Sequence, residues 1–313
     1  MFKMIFVAIA TTVGMCLAAP AYTQTPPGTS GSPKNDAQAK EMKDQSAPAT
    51  NAAPAKPSTL VKSAYASVNG LKMYYEIHGT GKPLVLLHGA FGFVDGWATV
   101  LPTLTKTHQV IAIELEGHGH THDLDRPLTF EQMAEDTALL LTQLKIKDAD
   151  FFGYSMGGTV ALGVAIRHPE LVRRLAIYGS CTGKPEDTYD PETYKQYQSL
   201  SVDFAPKELK EPYDKMAPDP TRWPVLVTKV KNLGIDFKGY SAAEVKSIKA
   251  QVLIMTGDRD VVRPEHAVEM YRLIPNAQLA IFPRGDHFML WSSPDKLLST
   301  LVPFLDGPMP EQK

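Results

Sequence analysis

Short runs of apolar residues recur along the chain, and each is long enough for one strand. They lie at residues 83–87, 110–115, 149–152, 175–178, 252–256 and 279–282. Strands that are apolar on both faces are typical of a parallel sheet covered by helices. Ahead of them, the strand-like segments 63–68 and 71–77 are joined by Asn69-Gly70, a pair that predicts a tight hairpin.

Helical patterns alternate with these runs, at residues 130–144, 156–167, 266–273 and 294–305. A hairpin followed by alternating strands and helices predicts an α/β fold with a mostly parallel central sheet flanked by helices. One segment, 182–249, breaks the rhythm, because it is rich in aromatic residues and too long for a plain loop. We expect a helical insertion there, which divides the core into residues 61–181 and 250–308.

The amino-terminal residues predict export rather than fold. Residues 1–21 have the pattern of a signal peptide: Lys3 gives a positive start, an apolar stretch follows, and small residues precede a cut after Ala21. An uncleaved anchor is the alternative, but the apolar stretch is shorter than the roughly 20 residues of a membrane span. Residues 22–60 are rich in Pro, Ala, Ser and Thr, which predicts a disordered linker. We therefore expect a periplasmic or secreted protein with no membrane association after cleavage.

Composition excludes some classes of partner. Of the 313 residues, 43% are hydrophobic and 21% charged, and the net charge is −2, so the chain has no basic footprint for nucleic acid.

Cys16 leaves with the signal peptide and Cys181 remains alone, which excludes an intramolecular disulfide in the mature chain. Cys181 is expected to be a small buried residue. The sequence does not determine the oligomeric state.

The pentapeptide Gly153-Tyr154-Ser155-Met156-Gly157 lies between a predicted strand and a predicted helix. A G-x-S-x-G sequence in that context places the serine on a sharp turn, where its hydroxyl is exposed and the glycines avoid collisions with neighbouring backbone. Ser155 is therefore the candidate nucleophile.

A serine nucleophile needs a base, and in this geometry the base follows an acid along the chain. His287 comes just after the predicted strand 279–282, at the sheet edge where such sites form. Two other histidines follow Ser155, but His168 ends a helix and His266 begins one, where we expect it on the surface. His287 is the candidate base.

Asp258 and Asp260 compete for the role of the acid, since both follow the predicted strand 252–256. We favour Asp260 and expect Asp258 to cap the turn. Asp286 is the weaker alternative, because a sequence neighbour of His287 points away from its ring.

The oxyanion hole needs two backbone N–H groups. Met156, after the nucleophile, supplies one, and Ala90 in the loop after the 83–87 strand supplies the other, with Phe91 as the alternative. We interpret His88 as a structural brace of that loop.

The segment EGHGHTHD, residues 116–123, suggests a different chemistry. His118, His120 and His122 alternate along it, and histidine is a common metal ligand. A metal-dependent hydrolase is thus an alternative, although the aspartate here follows the last histidine. We expect instead a wall of the active-site cleft, with His118 bracing the loop, His120 and His122 near the surface, and no metal or other cofactor. A non-catalytic binding protein on the same fold is a further alternative.

Taken in order, these motifs resemble those of the α/β-hydrolase superfamily. They are His88-Gly89, Gly117-His118-Gly119, Gly153 to Gly158, Gly257-Asp258-Arg259-Asp260 and Gly285-Asp286-His287-Phe288. The resemblance spans roughly residues 63–306. It implies an α/β-hydrolase fold, a catalytic triad of Ser155, Asp260 and His287, and a cap formed by residues 182–249.

The resemblance also implies the reaction. A serine nucleophile argues for acyl transfer on a small-molecule substrate, and the sequence is most similar to serine carboxylesterases with a small cap. The expected activity is hydrolysis of an ester or lactone, a range that includes macrolide esterases. An amidase, a perhydrolase and a carbon–carbon-bond hydrolase are the alternatives. We expect the substrate pocket to include Phe91, Tyr154, Trp223 and Phe288.

Two positions depart from the family pattern. Asp286 stands where many members have a small residue before the histidine, and a carboxylate facing the ring would raise the pKa of His287. Glu114 and Glu116 stand where the family has Asp and Arg, so the resemblance does not support the usual ion pair of that loop.

Overall fold

Eight strands form one sheet, numbered here along the chain. They are β1 (Leu60–Val68), β2 (Leu71–His78), β3 (Lys82–Leu87), β4 (His108–Ile113), β5 (Ala149–Tyr154), β6 (Val172–Tyr178), β7 (Gln251–Arg259) and β8 (Ala277–Asp286). The spatial order is β1-β2-β4-β3-β5-β6-β7-β8. The β1–β2 and β2–β4 pairs are antiparallel and all others are parallel. The predicted α/β fold with a mostly parallel sheet is therefore confirmed.

Eleven α-helices connect the strands in the described part of the chain. They are α1 (Leu101–Leu104), α2 (Phe130–Gln143), α3 (Met156–Arg167), α4 (Pro185–Thr188), α5 (Pro191–Gln198), α6 (Lys207–Met216), α7 (Trp223–Asp236), α8 (Ala242–Lys246), α9 (Pro264–Leu273), α10 (Met289–Ser292) and α11 (Pro294–Asp306). Short 3-10 turns lie at Val94–Trp97, Pro169–Leu171 and Pro220–Arg222. Helices α4 to α8 follow one another between β6 and β7, within the segment expected to form the insertion.

This computed structural model describes residues 59–309 except 204 and 206. The predicted signal peptide and all but two residues of the predicted linker lie outside the described residues. Leu60, the last residue assigned to the linker, already pairs with His78 in the β1–β2 hairpin. None of the described helices combines the length and apolar character needed to cross a membrane.

Successive residues of the central strands alternate between two cores. Phe151 packs in the core on one face of the sheet and Phe152 in the core on the other, and both are fully buried. Leu86 and Leu87 divide in the same way on β3. The central strands are therefore mainly apolar on both faces, since helices cover both sides of the sheet.

The carboxyl ends of the parallel strands meet at one edge of the sheet. Tyr154, the last residue of β5, pairs with Tyr178, the last residue of β6, and Arg259 of β7 pairs with Asp286 at the end of β8. The residues that follow three of these strands are the predicted nucleophile, acid and base. The topology thus brings together residues that are more than 100 positions apart.

We expect Phe151→Ala to lower the free energy of unfolding by about 3–5 kcal/mol, because it removes a buried ring from the middle of the sheet. Val61→Ala is the matched control: Val61 is 65% exposed, and its loss should cost less than about 0.5 kcal/mol. Urea unfolding of the three proteins measures both values. Equal midpoints for the two variants would contradict this account of the core.

Candidate active site

Ser155, His287 and Asp260 form a continuous hydrogen-bonded series. His287 Nε2 lies 2.9 Å from Ser155 Oγ, and His287 Nδ1 lies 2.6 Å from Asp260 Oδ1. The Asp260 side chain is fully buried, whereas Ser155 and His287 are half-buried. A buried carboxylate that accepts from Nδ1 leaves Nε2 to act as the base toward the serine hydroxyl.

The competing aspartates lie elsewhere. Asp258 is exposed and lies within β7, at a register shift of that strand, so the expectation that it caps a turn after the strand is wrong. Asp286 Oδ1 accepts a hydrogen bond from the backbone N–H of Phe288 at 2.9 Å. Its carboxylate therefore binds the local backbone and not the imidazole of His287. Only Asp260, of the three candidates, contacts the ring of His287 through a hydrogen bond.

The turn at Ser155 has the strained geometry that the sequence predicts. Ser155 has φ 52° and ψ −122°, a left-handed conformation that is unfavourable for a residue with a side chain. A Cβ atom at Gly157 would lie 2.1 Å from the carbonyl oxygen of Leu87, and one at Gly153 would lie 2.4 Å from the Cα of Gly158. Helix α3 therefore crosses the strand ends at a distance that only glycine permits.

The loop after β3 lies directly against the nucleophile. A Cβ at Gly89 would be 3.1 Å from that of Ser155. The N–H of Gly92 donates to Gly89 across the turn, and Phe91 has φ 60°, so this turn leaves the N–H groups of Ala90 and Phe91 unused. Met156 opens α3, where the first N–H groups have no acceptor within the helix. Met156 and either Ala90 or Phe91 are therefore the candidate donors of the oxyanion hole.

His88 is held beneath this loop by both ring nitrogens. Nδ1 donates to the carbonyl of Gly89 at 2.8 Å, and Nε2 accepts from the N–H of Leu115 at 3.1 Å. Burial lowers the pKa of His88 to about 3, so the ring is neutral and its tautomer is fixed by these partners. These contacts are those of a loop brace, and they join the loops that follow β3 and β4.

Two glutamates organise the loop that follows β4. Glu114 accepts from the backbone N–H groups of Val94, at 3.1 Å, and His120, at 2.5 Å. Glu116 forms an ion pair with Arg126 at 2.6 Å. The loop therefore contains an ion pair other than the usual one, because Arg126 supplies the cation from further along the chain.

The three alternating histidines bind different partners and do not converge. His118 is buried and bonds through Nδ1 to the carbonyl of Glu116 at 2.9 Å, while His120 pairs with Glu114 at 3.1 Å and His122 is half-buried. Among the residues that the structure describes, no group of three or more His, Cys, Asp or Glu side chains is arranged to hold a metal ion.

The predicted pocket residues occupy two different environments. Phe91 contacts Trp223 of α7 with ring centroids 5.4 Å apart, and Phe288 meets His287 edge-on at 5.9 Å. Trp223 is fully buried behind Phe91. Tyr154 does not line an open surface: it is 4% exposed, and its hydroxyl donates to the backbone carbonyl of His287.

Contacts between the insertion and the core were not predicted from sequence. Asp123 binds two cations of the insertion, Arg222, whose Nε lies 3.0 Å away, and Lys229 at 2.5 Å. His266 is buried rather than on the surface, because its Nε2 accepts from the N–H of Thr182 at 3.1 Å. No local pattern in the sequence indicates either pairing.

The environment of Cys181 agrees with the prediction that it is structural. The residue is buried and unpaired in the described part of the chain. Burial raises the pKa of its thiol to about 11, which removes the thiolate that a nucleophilic cysteine needs.

The site joins a serine, a histidine and a buried aspartate by hydrogen bonds at the carboxyl edge of a mostly parallel sheet. Serine hydrolases have this arrangement. The sequence model of the alpha/beta hydrolase family matches residues 84–300. The chain belongs to the alpha/beta hydrolase family and is a hydrolase.

Individual relatives cover most of the core. The chain is 30% identical over 246 residues to the 2-hydroxy-6-oxo-2,4-heptadienoate hydrolase of Pseudomonas putida, covering 67% of this chain and 84% of the relative. It is 26% identical over 251 residues to a 2-hydroxymuconate semialdehyde hydrolase of a Pseudomonas species, covering 70% of this chain and 85% of the relative. The enol-lactonase structure from Burkholderia xenovorans aligns with a TM-score of 0.62 at 23% identity, covering 77% of this chain and 99% of that one.

Buried His118 should make stability depend on pH. Burial lowers its pKa to about 4, whereas an unfolded histidine titrates near 6.5. As the pH falls below about 6.5, the unfolded chain binds a proton here that the folded chain does not, so the free energy of unfolding falls. The stability gained from keeping His118 neutral is fully present above a pH of about 6.5. It is lost progressively as the pH falls toward the folded pKa of about 4.

We expect His118→Asn to reduce that dependence by up to about 1.4 kcal/mol per pH unit. The asparagine amide keeps a donor for the carbonyl of Glu116, the only hydrogen bond of the ring among the described residues. Urea unfolding of both proteins across this pH range measures the two slopes. Parallel curves would rule out a neutral, buried His118.

Proposed function

We propose that the protein hydrolyses a carboxylic ester, linear or cyclic, through an acyl-enzyme on Ser155. The observation that carries the proposal is the triad geometry: Ser155 Oγ is 2.9 Å from His287 Nε2, and His287 Nδ1 is 2.6 Å from the buried Asp260. This arrangement activates a hydroxyl group for attack on a carbonyl carbon.

In the first step, Ser155 Oγ attacks the ester carbonyl while His287 Nε2 takes the hydroxyl proton. The tetrahedral oxyanion accepts hydrogen bonds from the N–H of Met156 and from that of Ala90 or Phe91. His287 then gives the proton to the alcohol oxygen as the carbon–oxygen bond breaks. The alcohol leaves, and the acyl group stays bound to Ser155.

In the second step, water attacks the acyl carbon while His287 Nε2 takes one of its protons. The bond between the acyl carbon and Ser155 Oγ breaks, the serine oxygen regains the proton from His287, and the carboxylic acid is released. Asp260 holds the imidazole through Nδ1 and stabilises the imidazolium in both steps.

The surroundings favour an uncharged substrate with an apolar part. Phe91 lies in the loop that faces Ser155, and the buried ring of Trp223 packs behind it. Two cations of the insertion, Arg222 and Lys229, are both bound to Asp123. A substrate carboxylate would compete with Asp123 for them, so a neutral ester or lactone fits this part of the site better.

The similarity to the Pseudomonas putida dienoate hydrolase supports a second candidate. A serine triad also serves a carbon–carbon-bond hydrolase, in which the leaving group is a carbanion equivalent rather than an alkoxide. The two candidates differ in the substrate, and a panel of p-nitrophenyl esters, lactones, amides and a hydroxy-oxo-dienoate separates them.

We expect Ser155→Ala to lower kcat by at least about 10³-fold on any substrate of that panel, because it removes the attacking atom. A fluorophosphonate probe should add its mass to the peptide that contains Ser155. Ser199→Ala, at an exposed serine of the insertion, is the control and should turn over and label like the wild type. Near-native turnover by Ser155→Ala would refute the assignment of the nucleophile.

We also propose that the protein is exported and processed after Ala21. The full chain, expressed in a bacterial host, should yield a mature protein whose amino-terminal sequence begins at Tyr22 in the periplasm or medium, because the small residues before the cut suit signal peptidase. Recovery of the intact chain from Met1 in the cytoplasm would contradict export.

A further inference from the structure

Two buried tyrosines end the strands beneath the triad. Tyr154 of β5 and Tyr178 of β6 are direct neighbours in the parallel register. Their rings stack with centroids 6.0 Å apart and planes 7° apart. Both are at most 4% exposed, so substrate does not reach them and their role must be exerted through protein contacts.

Their hydroxyl groups bind consecutive backbone carbonyls of the segment that carries the base. Tyr154 donates to the carbonyl oxygen of His287, and Tyr178 donates to that of Asp286. Burial, together with the nearby carboxylates of Asp260 and Asp286, raises the pKa of both tyrosines above the ordinary value. Both hydroxyls therefore remain protonated donors wherever the enzyme is folded.

The same two residues also hold the nucleophile. Tyr154 is the residue directly before Ser155, and the carbonyl of Tyr178 accepts the N–H of Ser155 at 2.8 Å. Ser155 and His287 are 132 positions apart, so their relative position depends on contacts between strands. The stacked pair supplies such contacts to both residues: Tyr178 binds the backbone N–H of Ser155, and Tyr154 binds the backbone carbonyl of His287.

We propose that Tyr154 is a positioning residue, whose hydroxyl fixes the backbone of His287 so that Nε2 stays within hydrogen-bonding distance of Ser155 Oγ. Tyr178 supports the adjacent carbonyl of Asp286. The inference rests on the proposed function, since it assigns Tyr154 a part in the serine-dependent reaction. A misplacement of about 1 Å in a reacting group can cost about 10²-fold in rate.

The test replaces Tyr154 with phenylalanine, which removes one oxygen atom and keeps the stacked ring. Relative to wild type, we expect kcat to fall about 10- to 100-fold with KM unchanged, because the base is displaced while the binding surface is intact. Tyr197→Phe is the matched control: the Tyr197 hydroxyl also donates to a backbone carbonyl, that of Val230, within the insertion. It should lower Tm about as much as Tyr154→Phe and leave kcat at the wild-type value.

The rate of fluorophosphonate labelling of Ser155 gives a second readout that needs no substrate. Slower labelling of Tyr154→Phe than of Tyr197→Phe, at equal Tm, supports the positioning role. Equal kcat and equal labelling in the two variants would overturn it.

The labelling rates also separate this inference from the proposed function. If the wild type labels but hydrolyses no ester, the proposed substrate class fails and the labelling rates still decide the role of Tyr154. If the wild type neither labels nor turns over any substrate, both proposals are overturned.

Discussion

The close approach of helix α3 to the end of β3 is the constraint on which the site depends. Because Gly157 has no side chain, its backbone lies against the carbonyl groups of Leu87 and His88. That contact sets the start of α3 and holds Ser155 in its left-handed conformation at the sheet edge. The predicted nucleophile, Ser155, and the N–H of Met156 share this turn, so a shift of the helix would move both at once.

Carboxylates bind the backbone and the cations of the loops around this turn. Glu114 accepts hydrogen bonds from two backbone N–H groups, and Glu116 pairs with Arg126. Asp123 joins the loop to the insertion through its two cationic partners. Burying such charges costs free energy unless every one is paired. The geometry of these loops therefore depends on each partner being present, which suits a wall that must keep its shape beside a reacting serine.

The reaction class and the substrate are determined by different parts of the molecule. The sheet edge brings Ser155, Asp260 and His287 together, and this supports serine-dependent hydrolysis irrespective of what is hydrolysed. The insertion places Trp223 behind Phe91 and supplies the two cations that bind Asp123, and we propose that substrate choice depends on it. One fold can serve several different sites, so the shared core does not by itself determine the substrate.

The sequence by itself determined the succession of strands and helices along the chain. This was possible because burial requires apolar residues at regular positions within each element, and that pattern is visible among neighbouring residues. It also indicated Ser155, since the glycines that its turn requires lie beside it. The tertiary structure alone decided which distant partner each polar group meets: Lys229 for Asp123, Thr182 for the buried His266. Such contacts depend on how segments far apart in the chain pack together, and no short stretch of sequence records that packing.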